Sequence, residues 1–257
     1  MLKIGKYNLL RVVKEVPFGV YLDGANYGDI LLPKRDVPND CKPGSWLKVF
    51  IYLDSEDRLI ATTKTPSVMV GECACLKVVA ISKFGAFLDW GLPKALLVPR
   101  REQAHLMQEG RSYVVYLYVD EQTQTIAASS RLEMFLNEFG NDFTAREAVE
   151  LMIAERTEIG FKAVINGTHL GLLYANEVFQ PLRIGQKLTG YIKAIRPDRK
   201  IDLMLQLPSA VAHDDLTQKI LAHLQAQGGR SSFSDKSSPE AIYETFQVSK
   251  AHFKRAI

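Results

Sequence analysis

The sequence predicts a mainly β protein, built as three small barrels in tandem and followed by a helical C-terminal segment. Three observations carry this reading. The chain repeats itself at a fixed spacing, each repeat alternates short β-prone runs with turn residues, and the pattern becomes helical after Pro208.

The repeat is found by sliding the chain against itself. At an offset of 66 residues, without a gap, residues 1–66 and 67–132 share 17 identities. Composition alone would give about four, so the match marks an internal repeat. Gly5 falls on Gly71, Phe18-Gly19 on Phe84-Gly85, Leu22-Asp23 on Leu88-Asp89 and Pro33 on Pro99. The register continues through Gly44 and Gly110, Tyr52 and Tyr118, and Ile60-Ala61 and Ile126-Ala127. A weaker third copy lies at an offset of 141, where Gly160 meets Gly19, Leu172-Leu173 meet Leu31-Leu32, and Gly185 meets Gly44.

Within a unit, Tyr21 to Asp23, Ile30 to Leu32, Trp46 to Asp54 and Arg58 to Thr62 are apolar or β-prone and punctuated by Gly, Pro and Asp. Such runs read as strands. About five strands in some 60 to 70 residues match the OB-fold, a partly open Greek-key barrel. The boundaries predicted are barrel one over 1–66, barrel two over 67–132, a linker over 133–146 whose short helix is read from Leu132 to Phe139, barrel three over 147–207 and a helical domain over 208–257.

The informative motif is a pair of aromatics around a glycine, Phe18-Gly19-Val20-Tyr21 and Phe84-Gly85-Ala86-Phe87. In a regular strand the two rings would point to opposite faces, because side chains alternate. A bulge at the glycine, in a left-handed conformation, would bring both to the outer face. Two readings therefore stand: a shared outer platform, or Phe18 and Phe84 in the core with Tyr21 and Phe87 outside. Exposed rings on a barrel face are stacking positions for unpaired bases. The third unit has Ile159-Gly160-Phe161-Lys162 instead, so a platform there must use Phe161, Lys162 or Tyr174. Cationic pairs follow the third strand of the first two units, Lys34-Arg35 and Arg100-Arg101. They suit phosphate contacts, which position a nucleic acid without reading its bases, or are solvated surface charge.

The order of a glycine, Phe-Gly-x-aromatic, a short apolar strand and a later glycine resembles the S1 RNA-binding domain. Three such units before a helical end resemble the bacterial conserved virulence factor B family. Ile30 to Pro38, Gly171 to Tyr174 and Ser238 to Tyr243 resemble that family's segments. The resemblance spans essentially the whole chain and implies RNA binding through the barrels, a role in regulating gene expression, no catalytic activity and a winged helix at the C-terminus. One departure is notable. S1 domains usually place a contacting His on the third strand, where this chain has Pro33, Pro99 and Tyr174.

Asp214 to Gln227 reads as a helix with Leu216, Ile220, Leu221 and Leu224 on one face, stopped by Gly228-Gly229. Ser238-Pro239 is an N-cap with Pro at the first helical position, opening a helix to about Phe246. Ser249 can cap a third, from Lys250 to Ile257, on which Lys250, Lys254 and Arg255 make a basic face. A turn at Gln247-Val248 gives a helix-turn-helix. The strands of a wing would follow Ile257, so the domain is either truncated or reduced.

Composition excludes several classes. The chain of 257 residues is 47% hydrophobic and 24% charged with a net charge of +3, which permits a polyanionic partner without requiring one. No run approaches the ~18 apolar residues of a membrane span, and the N-terminus lacks the apolar core of a secretory signal. A cytoplasmic protein without membrane partners is expected. Cys41, Cys73 and Cys75 are too few and unevenly placed for a disulfide framework, and Cys73-x-Cys75 has no second pair at zinc-ligand spacing. No metal, cofactor or small-molecule substrate is expected, and no catalytic motif appears among the five scattered histidines or the glycine-rich segments. The expected function is a non-enzymatic nucleic-acid-binding protein with single-stranded RNA as ligand. The alternatives are a DNA-binding regulator acting through the helical end and a ribosome-associated adaptor.

Overall fold

The computed structural model describes residues 2–207, 211–228, 231–246, 248, 250, 253 and 254. The chain divides into two compact units, Met1–Phe135 and Leu136–Ile257. The first contains two barrels. Barrel one comprises β1 (Tyr7–Val16), β2 (Gly19–Asp23), β3 (Asp29–Pro33), β4 (Trp46–Leu53) and β5 (Leu59–Thr62). Barrel two comprises β6 (Cys73–Ile81), β7 (Gly85–Asp89), β8 (Leu96–Pro99), β9 (Ser112–Val119) and β10 (Ile126–Ser129). The second unit holds barrel three, formed by β11 (Ala148–Arg156), β12 (Gly160–Ile165), β13 (His169–Tyr174), β14 (Lys187–Ile195) and β15 (Ile201–Met204). Each closes in the order β1-β2-β3-β5-β4 or its equivalent, so the predicted tandem of five-stranded barrels is present.

Equivalent backbone hydrogen bonds establish the third copy, for which sequence identity is thin. Gly5, Gly71 and Arg146 donate to Ile51, Leu117 and Ile192 at 2.7, 2.8 and 2.7 Å. Gly44, Gly110 and Gly185 donate to Val12, Val78 and Ile153 at 2.8, 2.9 and 2.7 Å. These positions differ by 66 and 141 throughout. Arg146 inherits the left-handed backbone of Gly5 and Gly71, with φ of 70°, which a side chain adopts only at some cost.

The bulge expected at the glycine lies elsewhere. Gly19 pairs in register with Val16 and Pro33, while the irregularity falls between Val12 and Lys14 on β1, at Val13. Val79 and Ala154 occupy the same place on β6 and β11. The glycine serves another purpose. A Cβ on Gly19 would lie 2.1 Å from the Leu32 carbonyl oxygen, and on Gly85 and Gly160 it would lie 2.1 and 1.9 Å from those of Val98 and Leu173. No side chain fits where the two strands approach this closely.

Each barrel interior is filled by alternating residues. In barrel one these are Val12, Val20, Leu22, Ile30, Leu32, Val49, Ile51 and Ala61. Burying each of the larger ones contributes about 1.5 to 3 kcal/mol. Barrels one and two also share a core that the sequence reading does not anticipate. Phe50 and Tyr52 point out of β4 and meet Trp90 at ring-centroid distances of 5.9 and 6.3 Å. Lys94 reinforces the junction, its ammonium donating to the Asp54 carbonyl and the Asp57 carboxylate, each at 2.7 Å. The two barrels are thus packed together rather than merely tethered. The equivalent surface of barrel two is covered by Phe135, whose ring lies 4.8 Å from Tyr116 and 5.0 Å from Tyr118.

The linker helix expected from Leu132 is a single 3-10 turn, Leu132–Met134. Beyond it Asn137 bridges to His169 and Phe139 to Lys200, so the segment is extended along barrel three. Pairing with a barrel strand satisfies its backbone better than an isolated short helix could.

At the C-terminus, α1 (Val211–Ala226) and α2 (Pro239–Phe246) follow the expected pattern. Ser238 caps α2, its hydroxyl accepting from the Ala241 amide at 3.2 Å. Leu216, Ile220, Ile242, Phe246 and Phe253 form the core of this region. Leu221, placed on the same face by sequence, is 46% exposed because it lies on the flank of that stripe. Lys250, Phe253 and Lys254 are helical, whereas Gly229, Gln247, Ser249 and Arg255 lie outside the described residues.

Candidate nucleic-acid interface

Barrel geometry sets the direction of each ring. On β2, Val20 and Leu22 are buried, so Tyr21 between them faces outward, half-buried. Phe18 precedes the strand, in the tight turn from β1, and is 56% exposed. The two rings meet edge to face with centroids 6.3 Å apart. In barrel two Phe87 faces outward between buried Ala86 and Leu88, and Phe84 is 65% exposed. Neither Phe18 nor Phe84 is a core residue. Both rings of each pair share the outside of the barrel without any bulge at the glycine, because Phe18 and Phe84 are turn residues to which strand alternation does not apply.

The cationic pairs are brought to the same edge by the backbone. Lys34 donates its amide to the Phe18 carbonyl at 2.9 Å, and Arg100 donates to that of Phe84 at 3.0 Å. Lys34-Arg35 and Arg100-Arg101 open 3-10 turns directly after β3 and β8, with all four side chains exposed. Beneath Lys34-Arg35 the turn is anchored by Asp36, buried, whose carboxylate accepts from Thr62 at 2.8 Å. Arg101 is less available than its neighbour, being held by Asp120 at 3.2 Å and Glu102 at 3.7 Å.

Cations also attend the rings. Lys14, opposite Tyr21 in the β1–β2 ladder, places its ammonium 4.8 Å from that ring's centroid while pairing with Asp29 at 3.2 Å. Lys83 lies 5.0 Å over Phe84. The place of Lys14 in barrel two is taken by Ala80 and that of Lys83 in barrel one by Pro17, so each platform has one lysine, set on a different ring.

Barrel three keeps the framework and changes the surface. Ala175 donates to the Ile159 carbonyl at 3.0 Å, as Lys34 does to Phe18, but Ala175-Asn176 replace the cationic pair. Phe161, a candidate ring from the sequence, falls on the inward register of Val20 and packs against the barrel core. Lys162 takes the outward place of Tyr21 and pairs with Glu155 at 3.7 Å. Tyr174 is half-buried beneath Lys193, whose ammonium is 5.7 Å from the ring and bound to Glu177. Lys200 pairs with Glu138 at 3.6 Å beside a cavity of about 210 Å³ between Ile159, Leu172 and Arg196. This face is a mosaic of compensated charges.

At the C-terminal end, Lys254 is exposed and Lys250 half-buried, and the placement of Arg255 lies outside the described residues. Burial pushes the Cys73 thiol up to about 12 and raises Cys75, so neither is poised as a thiolate. Among the described residues no helix is long and apolar enough to cross a membrane, and no cluster of three metal-ligating side chains occurs.

Comparison with known proteins agrees with the barrel architecture and the helical end. An S1 domain matches residues 4–64 and 70–129, and a CvfB-like winged helix domain matches residues 218–257. The chain carries S1 domains and a CvfB-like winged helix domain. Protein YitL of Bacillus subtilis is 28% identical over 98% of this chain and 87% of its own length. Conserved virulence factor B of Staphylococcus epidermidis is 27% identical over 99% of this chain and 88% of its own. The resemblance to the conserved virulence factor B proteins therefore extends over nearly the whole chain. A crystal structure of a multidomain protein with nucleic acid binding domains from Streptococcus pneumoniae covers 98% of this chain and 91% of its own, at 24% identity and a TM-score of 0.46. S1 and winged helix domains are nucleic-acid-binding types rather than catalytic ones.

Proposed function

We propose that this protein binds single-stranded RNA through barrels one and two and acts, without catalysis, in the post-transcriptional regulation of gene expression. The observation that supports the reading is the repeated edge at which an aromatic pair and a cationic pair are joined by one backbone hydrogen bond, from Lys34 to Phe18 and from Arg100 to Phe84. Unpaired bases stack on the rings at about 1 to 3 kcal/mol each, while the cations hold phosphates. Because barrels one and two are packed together through Phe50, Tyr52 and Trp90, their two edges act in fixed relation, which spares part of the entropy that independently tethered modules would lose. The cytoplasm is the compartment in which this activity is placed.

The proposal is tested by measuring affinity for single-stranded RNA, single-stranded DNA and duplex DNA of matched length. Preference for single-stranded RNA is expected. Tighter binding to the duplex, abolished on changing Lys250 and Lys254 to Ala, would instead favour a DNA regulator acting through the helical end. Failure to bind any of the three would favour a protein adaptor.

A further inference from the structure

Barrel one exposes another ring that neither the repeat nor the aromatic motif singles out. Trp46 begins β4 and is 63% exposed. Outward positions along β4 are Trp46, Lys48, Phe50 and Tyr52, alternating with Leu47, Val49 and Ile51. Barrel two covers the last two of these outward residues, while Trp46 and Lys48 are exposed, the Lys48 ammonium lying 4.9 Å over the Tyr7 ring. Across the ladder Trp46 is paired with Arg11 and Lys48 with Leu9, both exposed residues of β1. The patch carries two cations and no carboxylate among its four side chains.

It is continuous with the aromatic edge already described. From Arg11, β1 runs through the bulge at Val13 to Lys14, the cation over Tyr21. At about 3.3 Å per residue, Arg11 and Lys14 are separated by about 10 Å. The patch belongs to barrel one alone, since Ser112 and Lys187 stand at the place of Trp46 in the other two. An indole flanked by Arg and Lys is matched to a ligand with flat π-faces and regularly spaced negative charge.

We propose that Trp46, flanked by Arg11 and Lys48, is an additional base-stacking position that extends the Phe18–Tyr21 edge along β1, so that single-stranded nucleic acid follows this strand. The assignment rests on the function proposed above and specifies the path on barrel one.

The chain contains two tryptophans, and Trp90 is buried at 3% exposure, so a ligand that stacks on indole reaches Trp46 only. Intact protein is titrated with a fluorescein-labelled oligouridine, followed by anisotropy, and with the unlabelled oligomer, followed by tryptophan emission. Saturable quenching with the same midpoint as the anisotropy curve is expected. Trp46→Ala should abolish the quenching and weaken binding roughly five- to hundredfold with an unchanged melting temperature. Arg11→Ala with Lys48→Ala should flatten the salt dependence while leaving some quenching. If anisotropy rises normally, emission stays constant and Trp46→Ala binds like the parent, the path is refuted while RNA binding stands, and a protein partner becomes the better use of the indole. If anisotropy does not rise for the parent, both the path and the proposed function fall.

Discussion

Barrels one and three share a framework and differ in nearly everything that faces outward. In both, a glycine presses against a facing carbonyl, a bulge interrupts the first strand at Val13 or Ala154, and the turn after the third strand donates to the loop before the second. Yet Phe18, Tyr21, Lys34 and Arg35 of the first become Ile159, Lys162, Ala175 and Asn176 of the third. Lys162 is paired with Glu155, and Tyr174 lies under a lysine already committed to Glu177. The fold is maintained by backbone approach and interior volume, which tolerate almost no change. The exposed residues of this edge contribute little to folding and are free to specialise. On the proposed function, this difference predicts a division of labour in which barrels one and two hold the RNA and barrel three does not.

The largest expected effect tests the shared framework. Gly19→Ala, Gly85→Ala and Gly160→Ala should each destabilise their barrel by about 3 kcal/mol or more, since a Cβ at 2.1, 2.1 or 1.9 Å from a carbonyl oxygen forces the strands apart. Urea denaturation monitored by circular dichroism checks this, and a tolerated substitution at any one would show that its barrel is built differently. Next, Trp90→Ala should cost about 3 to 5 kcal/mol and uncouple barrels one and two, converting their common unfolding into separate steps. A single unchanged transition in calorimetry would contradict the shared core.

Smaller effects sharpen the functional contrast. Phe84→Ala or Phe87→Ala should weaken RNA binding by about 1 to 3 kcal/mol with little change in melting temperature, whereas Ile159→Ala should leave affinity alone. Neutralising Lys34, Arg35 and Arg100 should flatten the slope of log K against log salt by about 0.7 for each phosphate no longer held. Arg101 should contribute least of the four cations, being engaged by Asp120 and Glu102.

Much of this organisation is legible in the sequence, and the parts that are not have identifiable physical reasons. A repeat without gaps fixes the barrels, because insertions would have broken the equivalence of Gly5, Gly71 and Arg146. The bulge is misplaced by sequence reasoning because Phe18 looks like a strand residue and is in fact a turn residue, leaving the glycine with a different task. Phe161 invites selection as the third platform ring by its chemistry, although the 141-residue register already assigns the outward place to Lys162. The helix expected after Leu132 is overridden by pairing to barrel three, a nonlocal effect that no local pattern encodes. The interface between barrels one and two is hidden for a similar reason. Phe50 and Tyr52 alternate with core residues as solvent-facing positions would, and only their aromatic character hints that something covers them. Trp46 has no counterpart in the other units, so a search guided by repetition passes over it.

The central claim, that RNA is held by barrels one and two and not by barrel three, is tested most directly by fluorescence anisotropy with one labelled single-stranded RNA and two multiple variants. Replacing Phe18, Tyr21, Phe84 and Phe87 together with Ala should weaken binding by at least about a hundredfold, and replacing Ile159, Lys162 and Tyr174 with Ala should change it less than about threefold. The opposite ranking, in folded proteins of equal stability, would contradict the account.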